Sequence, residues 1–156
     1  MKHILLIDDD EAVRLSVAFF LQSNGFTVVT ASNGREGLRR CDEQPPNLVI
    51  TDIMMPEIDG IETILALRRA FHDIPIIAMS GGWHPGDARL LSMVTKLGAT
   101  ETLAKPFDCD ELLAAIQRCV HDVPAPRRAD GESLVQASDD RRFASLVARH
   151  AEKILE

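Results

Sequence analysis

Asn47-Leu48-Val49-Ile50-Thr51-Asp52-Ile53-Met54-Met55-Pro56-Glu57-Ile58-Asp59-Gly60 decides how the rest of the chain folds. Leu48, Val49 and Ile50 run together without a polar interruption, between Pro45-Pro46 on one side and Pro56 on the other. A strand covered on both faces of a parallel sheet has this pattern, because neither face meets water. Asp52 stands where that strand runs out, and open parallel sheets bind ligands at the carboxyl ends of their strands. A carboxylate in that place, followed by a turn, is a candidate acceptor for a phosphoryl group.

Working outward, the same pattern repeats. Ile4 to Ile7 is a first apolar run that stops at Asp8-Asp9-Asp10. Asp10 is placed to cap a helix with Val13, Val17, Phe20 and Leu21 on one face, ended by Asn24-Gly25. Phe26 to Thr30 is a short β-branched strand, and a helix to about Glu43 follows Ser32-Asn33-Gly34. Beyond the central strand, Asp59-Gly60 opens a third helix with Ile61, Ile64 and Leu65 inward. Ile74 to Met79 is a fourth strand ending at Ser80. A glycine-rich loop, Gly81 to Gly86, leads to a fourth helix carrying Leu90, Leu91, Val94 and Leu97, which Gly98 stops. Thr100 to Ala104 is a fifth strand ending at Lys105-Pro106, and Asp108 caps a fifth helix with Leu112, Leu113, Ile116 and Val120 inward. Strict alternation predicts an α/β fold built of right-handed βαβ units. The second strand is the least apolar and belongs at an edge. The expected architecture is therefore a flavodoxin-like, doubly wound, five-stranded parallel sheet of order 2-1-3-4-5.

The sequence has 156 residues, a formal charge of −7 and three cysteines. The acidic balance argues against non-specific nucleic-acid binding by the whole chain and leaves carboxylates free to hold a divalent cation. Cys41, Cys109 and Cys119 lie far apart on predicted helices and form no C-x-x-C pair, so they read as idle or buried thiols in a reducing compartment. No apolar run approaches the ~18 residues of a membrane span, and the run after Met1-Lys2-His3 dies at Asp8. A cytoplasmic protein is expected.

Four strand ends carry polar groups that follow apolar runs directly: Asp8 and Asp9, Asp52, Ser80 and Lys105. Taken singly, each has an ordinary explanation, since an acidic turn caps a helix, a serine closes a strand and a lysine before proline is solvated. Together they describe one site. Three carboxylates at one edge repel each other and call for a cation, and hard oxygen ligands at a hydrated site suit Mg²⁺. Asp9 and Asp52 are the expected direct ligands, with Asp8 acting through water and the Met54 backbone carbonyl adding a further ligand. Asp52 would be the phosphoacceptor, Lys105 would pair with one phosphoryl oxygen, and the Ser80 hydroxyl would donate to another.

From about His3 to Val120 the chain resembles the receiver domain of two-component response regulators. The resemblance rests on Leu5-Leu6-Ile7-Asp8-Asp9-Asp10, on Thr51-Asp52-Ile53-Met54-Met55-Pro56 with Asp59-Gly60, on Ala78-Met79-Ser80-Gly81 and on Lys105-Pro106-Phe107. It implies Mg²⁺ dependence and phosphoryl donation to Asp52 by a sensor histidine kinase or a histidine phosphotransfer protein. It also implies a cis bond before Pro106 and output through movement of Ser80 and of the face built by the fourth helix, fifth strand and fifth helix. The switch position that the family fills with an aromatic residue, three before the lysine, is Thr102 here, so an aromatic toggle is not available. Trp83 in the glycine-rich loop is expected to act as a lid beside Ser80, and His84 as a solvated loop residue.

The expected organisation is a receiver domain over 1–121, a Pro- and Arg-containing linker over 122–137, and an extra C-terminal amphipathic helix over 138–156, with no independent output domain. Phe143, Leu146, Val147, His150 and Ile154 recur three or four apart, and such a stripe needs cover from the receiver, a second copy in a homodimer, or a partner. The basic residues Arg127, Arg128, Arg141 and Arg142 are interleaved with acids, so direct nucleic-acid contact is not expected. The primary reading is a non-enzymatic, self-phosphorylating switch in a phosphorelay. The alternatives are the receiver end of a longer regulator, such as a DNA-binding transcription factor, and a Mg²⁺-dependent phosphatase working through an aspartyl phosphate. Against the phosphatase, Met54 stands where a general acid would be.

Overall fold

The computed structural model describes residues 2–55, 60–81 and 87–120. Among these, five strands alternate with five helices: β1 (His3–Ile7), α1 (Glu11–Ser23), β2 (Thr27–Ala31), α2 (Gly34–Glu43), β3 (Leu48–Asp52), α3 (Gly60–Ala70), β4 (Ile76–Ser80), α4 (Asp87–Leu97), β5 (Glu101–Ala104) and α5 (Cys109–Val120). The strands form one parallel sheet of order β2-β1-β3-β4-β5, the expected order, with the weakly apolar β2 at an edge. The expectations for Pro56 to Asp59, for Trp83 and His84, and for the linker and C-terminal helix fall outside the described residues.

Side chains alternate along a strand, so each strand feeds two cores. Leu5, Ile7, Val49, Ile76 and Ala78 pack with residues of α2, α3 and α4, including Leu38, Ile64, Leu67 and Val94. Ile4, Leu6, Leu48, Ile50, Ile77 and Met79 pack with α1 and α5 through Val17, Leu21, Leu112 and Ile116. Each fully buried aliphatic side chain contributes about 1.5–3 kcal/mol, so the three inner strands alone dominate the driving force for folding. This double burial is why the three inner strands read as unbroken apolar runs.

Local chemistry sets the helix ends. The Asp10 side chain accepts from the Val13 N–H at 3.0 Å and starts α1, and Gly25 follows it at φ +85°. Asp108 and Glu111 cap each other's N–H groups ahead of α5, at 2.8 and 2.9 Å. Gly98, at φ +123°, ends α4.

Several expected boundaries move. The fourth strand starts at Ile76 rather than Ile74, because Ile74 and Pro75 are buried in the connection after α3. The second strand is Thr27–Ala31 and the fifth begins at Glu101. In α3 the deepest residues are Thr63, Ile64, Ala66 and Leu67, whereas Ile61 and Leu65 are half-buried. Of the cysteines, Cys41 and Cys119 are buried and Cys109 is exposed, all as free thiols.

Candidate functional site

The parallel sheet delivers Asp8, Asp52, Ser80 and Lys105 to one edge because β1, β3, β4 and β5 all end there. Asp8 directly follows β1 and is fully buried, while Asp9 beside it is exposed. The Asp8 Oδ1 atom accepts from the Asp10 N–H at 2.9 Å, and its carbonyl accepts from Arg14 Nη1 at 2.8 Å. The turn that presents both acids is thus held from α1. Asp52 ends β3, and its Oδ1 accepts from the Met54 N–H at 3.2 Å.

Lys105 joins the two buried acids. Its Nζ lies 2.8 Å from Asp8 Oδ2 and 3.2 Å from Asp52 Oδ2. Its backbone N–H donates to the Ser80 carbonyl at 2.6 Å, which registers the end of β5 against β4. The Lys105–Pro106 peptide is cis. Burial lowers the lysine's proton affinity, but the hydrogen bond to Asp8 and the charges of Asp52 and Asp8 outweigh it, and the net shift is upward. Burial pushes the Asp52 carboxyl up, the Lys105 charge draws it back, and Asp8 pushes it up again, leaving a raised value.

Each of Asp8, Asp9 and Asp52 offers one carboxylate oxygen within 4.8 Å of the others. Three carboxylates with one ammonium leave an excess of two negative charges in a partly dehydrated cleft. An all-oxygen donor set with that charge, open to solvent at Asp9, fits a small divalent cation. The Ser80 hydroxyl closes β4 on the same edge, is buried, and makes no hydrogen bond among the described residues. A buried hydroxyl without a partner is uncommon and leaves a donor free for an incoming oxygen. Thr102 is half-buried within β5, opposite Ala78. Met54 turns its side chain outward, 67% exposed.

Two contributors were not anticipated. Arg14 holds the Asp8 carbonyl, but one arginine on an exposed helix turn carries no pattern that marks it. Gly60 reads in the sequence as part of a turn ahead of a helix, yet its N–H donates to the Ile53 carbonyl at 3.0 Å, and a Cβ there would collide with the Asp52 carbonyl oxygen and Ile53 Cα. Only glycine lets α3 start against the phosphoacceptor candidate's own peptide. The Asp-Gly pair eight positions on was the available signal.

Residues 4–117 match the sequence model of the response regulator receiver domain. The alkaline phosphatase synthesis transcriptional regulatory protein PhoP of Bacillus subtilis is 32% identical over 127 residues, which is 80% of this chain and 52% of PhoP. A response regulator receiver domain protein from Clostridium thermocellum superposes with a TM-score of 0.72 at 31% identity, covering 77% of this chain and 94% of that one. The response regulator TrrA of Thermotoga maritima, solved in complex with Mg(2+)-BeF, gives a TM-score of 0.68 at 32% identity and covers 77% of this chain and 100% of that one. The chain spans about half the length of PhoP and of similar curated relatives.

Proposed function

Because the chain belongs to the response regulator receiver domain family, we propose that Asp52 accepts a phosphoryl group from a phosphohistidine on a sensor histidine kinase or histidine phosphotransfer protein. The observation that carries this reading is the Lys105 ammonium lying 2.8 Å from Asp8 and 3.2 Å from Asp52 at a strand edge crowded with carboxylates. In the transfer, an Asp52 carboxylate oxygen forms the bond to phosphorus while the bond from phosphorus to the donor imidazole nitrogen breaks, and that nitrogen takes a proton from solvent. Lys105 moves its charge onto a phosphoryl oxygen, and the free Ser80 hydroxyl donates to another. Asp9 and Asp52 would hold Mg²⁺ directly, with Asp8 through water and the Met54 carbonyl. The bound ion supplies charge neutralisation of the phosphoryl oxygens.

Receiver domains act as signalling switches, and this one is read as a switch with no external turnover substrate. Its output passes through the α4–β5–α5 face or the C-terminal segment, to a protein partner or a second copy. Division into a receiver over 1–121, a linker over 122–137 and a helix over 138–156 is part of the same proposal. So is a cytoplasmic location; among the described residues no helix is long and apolar enough to cross a membrane. A second reading makes this chain the receiver portion of a longer transcriptional regulator. The relatives favour it, since PhoP is named as a transcriptional regulatory protein and extends well beyond the matched region.

The test is labelling by acetyl phosphate with Mg²⁺, read by intact-mass spectrometry. The wild type gains one phosphoryl group, Asp52→Asn gains none, and Asp9→Ala needs more Mg²⁺ for the same labelling. Label retained on Asp52→Asn refutes the assignment. Sustained phosphate release from phosphomonoesters would replace the switch with a phosphatase.

A further inference from the structure

We infer, on the reading of Asp9 and Asp52 as direct Mg²⁺ ligands, that Arg14 is a positioning residue for the metal: it fixes the peptide that carries Asp9 and so sets the affinity of the site for Mg²⁺. Both oxygens of the buried Asp8 carboxylate are engaged, Oδ1 by the Asp10 N–H at 2.9 Å and Oδ2 by Lys105 Nζ at 2.8 Å. The turn after β1 therefore offers a cation the Asp9 carboxylate first. Asp9 is exposed, and among the described residues no hydrogen bond or ion pair holds its side chain. The backbone alone decides where that carboxylate sits.

Three successive peptide planes make up this backbone, and each is held differently. The plane before Asp8 is held by its N–H, which donates to the Ala31 carbonyl at 3.2 Å. The plane after Asp9 is held by the Asp10 N–H, which donates to Asp8 Oδ1. The middle plane contains the Asp8 carbonyl and the Asp9 N–H as one rigid unit. Arg14 Nη1 donates to that carbonyl at 2.8 Å, so a grip on the oxygen is a grip on the whole unit. Without it the plane can rotate and swing Asp9 away from Asp8 and Asp52, whose carboxylate oxygens lie within 4.8 Å of its own. Arg14 has a firm base from which to act. Its N–H donates to the Asp10 carbonyl at 2.9 Å, Asp10 caps α1, and Val17, Ala18 and Leu21 bury the same helix in the core.

Position and charge act on the metal with opposite signs. As a clamp Arg14 favours a bound cation, and as a cation itself it opposes one. Salt screens an exposed charge over about 8 Å at physiological ionic strength. Groups that orient metal ligands from outside change affinity by about 10–100-fold. Position wins, and the sign of the change on removing Arg14 tells the two apart.

The experiment is a Mg²⁺ titration of the full chain by calorimetry, with wild type, Arg14→Met, Arg14→Lys and Asp9→Ala. Arg14→Met keeps the length and helix propensity of the side chain but neither its charge nor its donors. It should bind Mg²⁺ about tenfold more weakly, and saturating Mg²⁺ should restore its rate of labelling by acetyl phosphate. Arg14→Lys, which can still donate to one carbonyl, should recover part of the loss, and it reports on the clamp even where Arg14→Met folds poorly. An affinity of Arg14→Met within about threefold of wild type, or tighter, overturns the inference and leaves Arg14 a support of α1 or a bare charge. Weak binding by Asp9→Ala beside that result keeps the ligand reading and rejects only the clamp. Wild-type affinity in Asp9→Ala rejects the ligand reading, and the clamp with it.

Discussion

Two half-buried cations stand at opposite edges of the sheet, and they are built differently. Arg68, near the end of α3, donates to the carbonyls of Gly98 at 2.8 Å, Ile74 at 2.5 Å, His72 at 3.3 Å and Phe71 at 3.4 Å, and to the Thr100 hydroxyl at 3.4 Å. That hydroxyl in turn accepts from the Ile76 N–H at 3.1 Å. The planar guanidinium is hydrogen-bonded by neutral acceptors that gather the end of α3, the end of α4 and the starts of β4 and β5, with the Asp73 charge acting on it from outside that set. Lys105, at the other edge, faces two carboxylates in a cluster of three and leaves their charge under-compensated. One cation completes a set of acceptors, and the other leaves room for a further positive charge. Burial costs both, which is why Arg68 is pulled down in proton affinity while Lys105 is pushed up by its acids. Saturation marks scaffolding, and imbalance marks chemistry.

The sharpest way to break this comparison is Arg68→Ala. It orphans several carbonyls at once and should cost about 3 kcal/mol in urea unfolding, with Arg68→Lys recovering less than half, since one ammonium cannot reach the same fork of acceptors. A loss under about 1 kcal/mol would deny Arg68 its scaffolding role.

Alkaline titration comes next. Arg68 keeps its charge, whereas Lys105 has a raised folded pKa, so its contribution is full below the unfolded lysine value and is lost as pH climbs through the folded one. The Cys119 thiol works in the same window. Burial first, and Glu101 second, push it from 9.0 to about 11, so the unfolded chain ionises earlier and the fold weakens by about 2–3 kcal/mol over that interval. Cys119→Ala should remove the thiol part of the slope and leave the lysine part. A slope unchanged by Cys119→Ala would contradict the thiol's shift.

The smallest effect has the opposite sign. With metal chelated, Asp52→Asn removes one charge from the cluster and should raise stability by about 1 kcal/mol. The raised pKa of Asp52 carries the same sign: its ionised form is disfavoured in the fold, so wild-type stability should fall as pH rises from the ordinary carboxylate value through the raised one. A variant less stable than wild type would mean that the edge carries no unrelieved repulsion.

The sheet was legible because burial on both faces leaves strands as unbroken apolar runs, and β2 was legible as an edge because Thr27 and Thr30 interrupt its run. Asp10 and Asp108 were readable as caps because capping depends on chemistry within three residues. The site's members could be named because each stands one step past an apolar run. The Arg68 cluster left little trace in the sequence, since all its hydrogen-bond partners but the Thr100 hydroxyl are backbone carbonyls from separate segments and carry no side-chain identity. The inward face of α3 was read only in part: Ile64 is fully buried and Ile61 and Leu65 pack at the margin of the core, but Ala66 and Leu67, which lie deeper, were not named. The exposed pair Leu15 and Phe19 was passed over for a related reason: helical spacing orients a stripe but does not say which stripe is covered.

The hydrogen bond from Gly60 to Ile53 means that the chain departs from the sheet and comes back to the same point. Strand and helix are thereby fastened directly to each other, next to Asp52. Lengthening such a loop is thermodynamically mild, about 0.6 kcal/mol for each doubling. A longer connection after Met55 therefore leaves the carboxylate at its address.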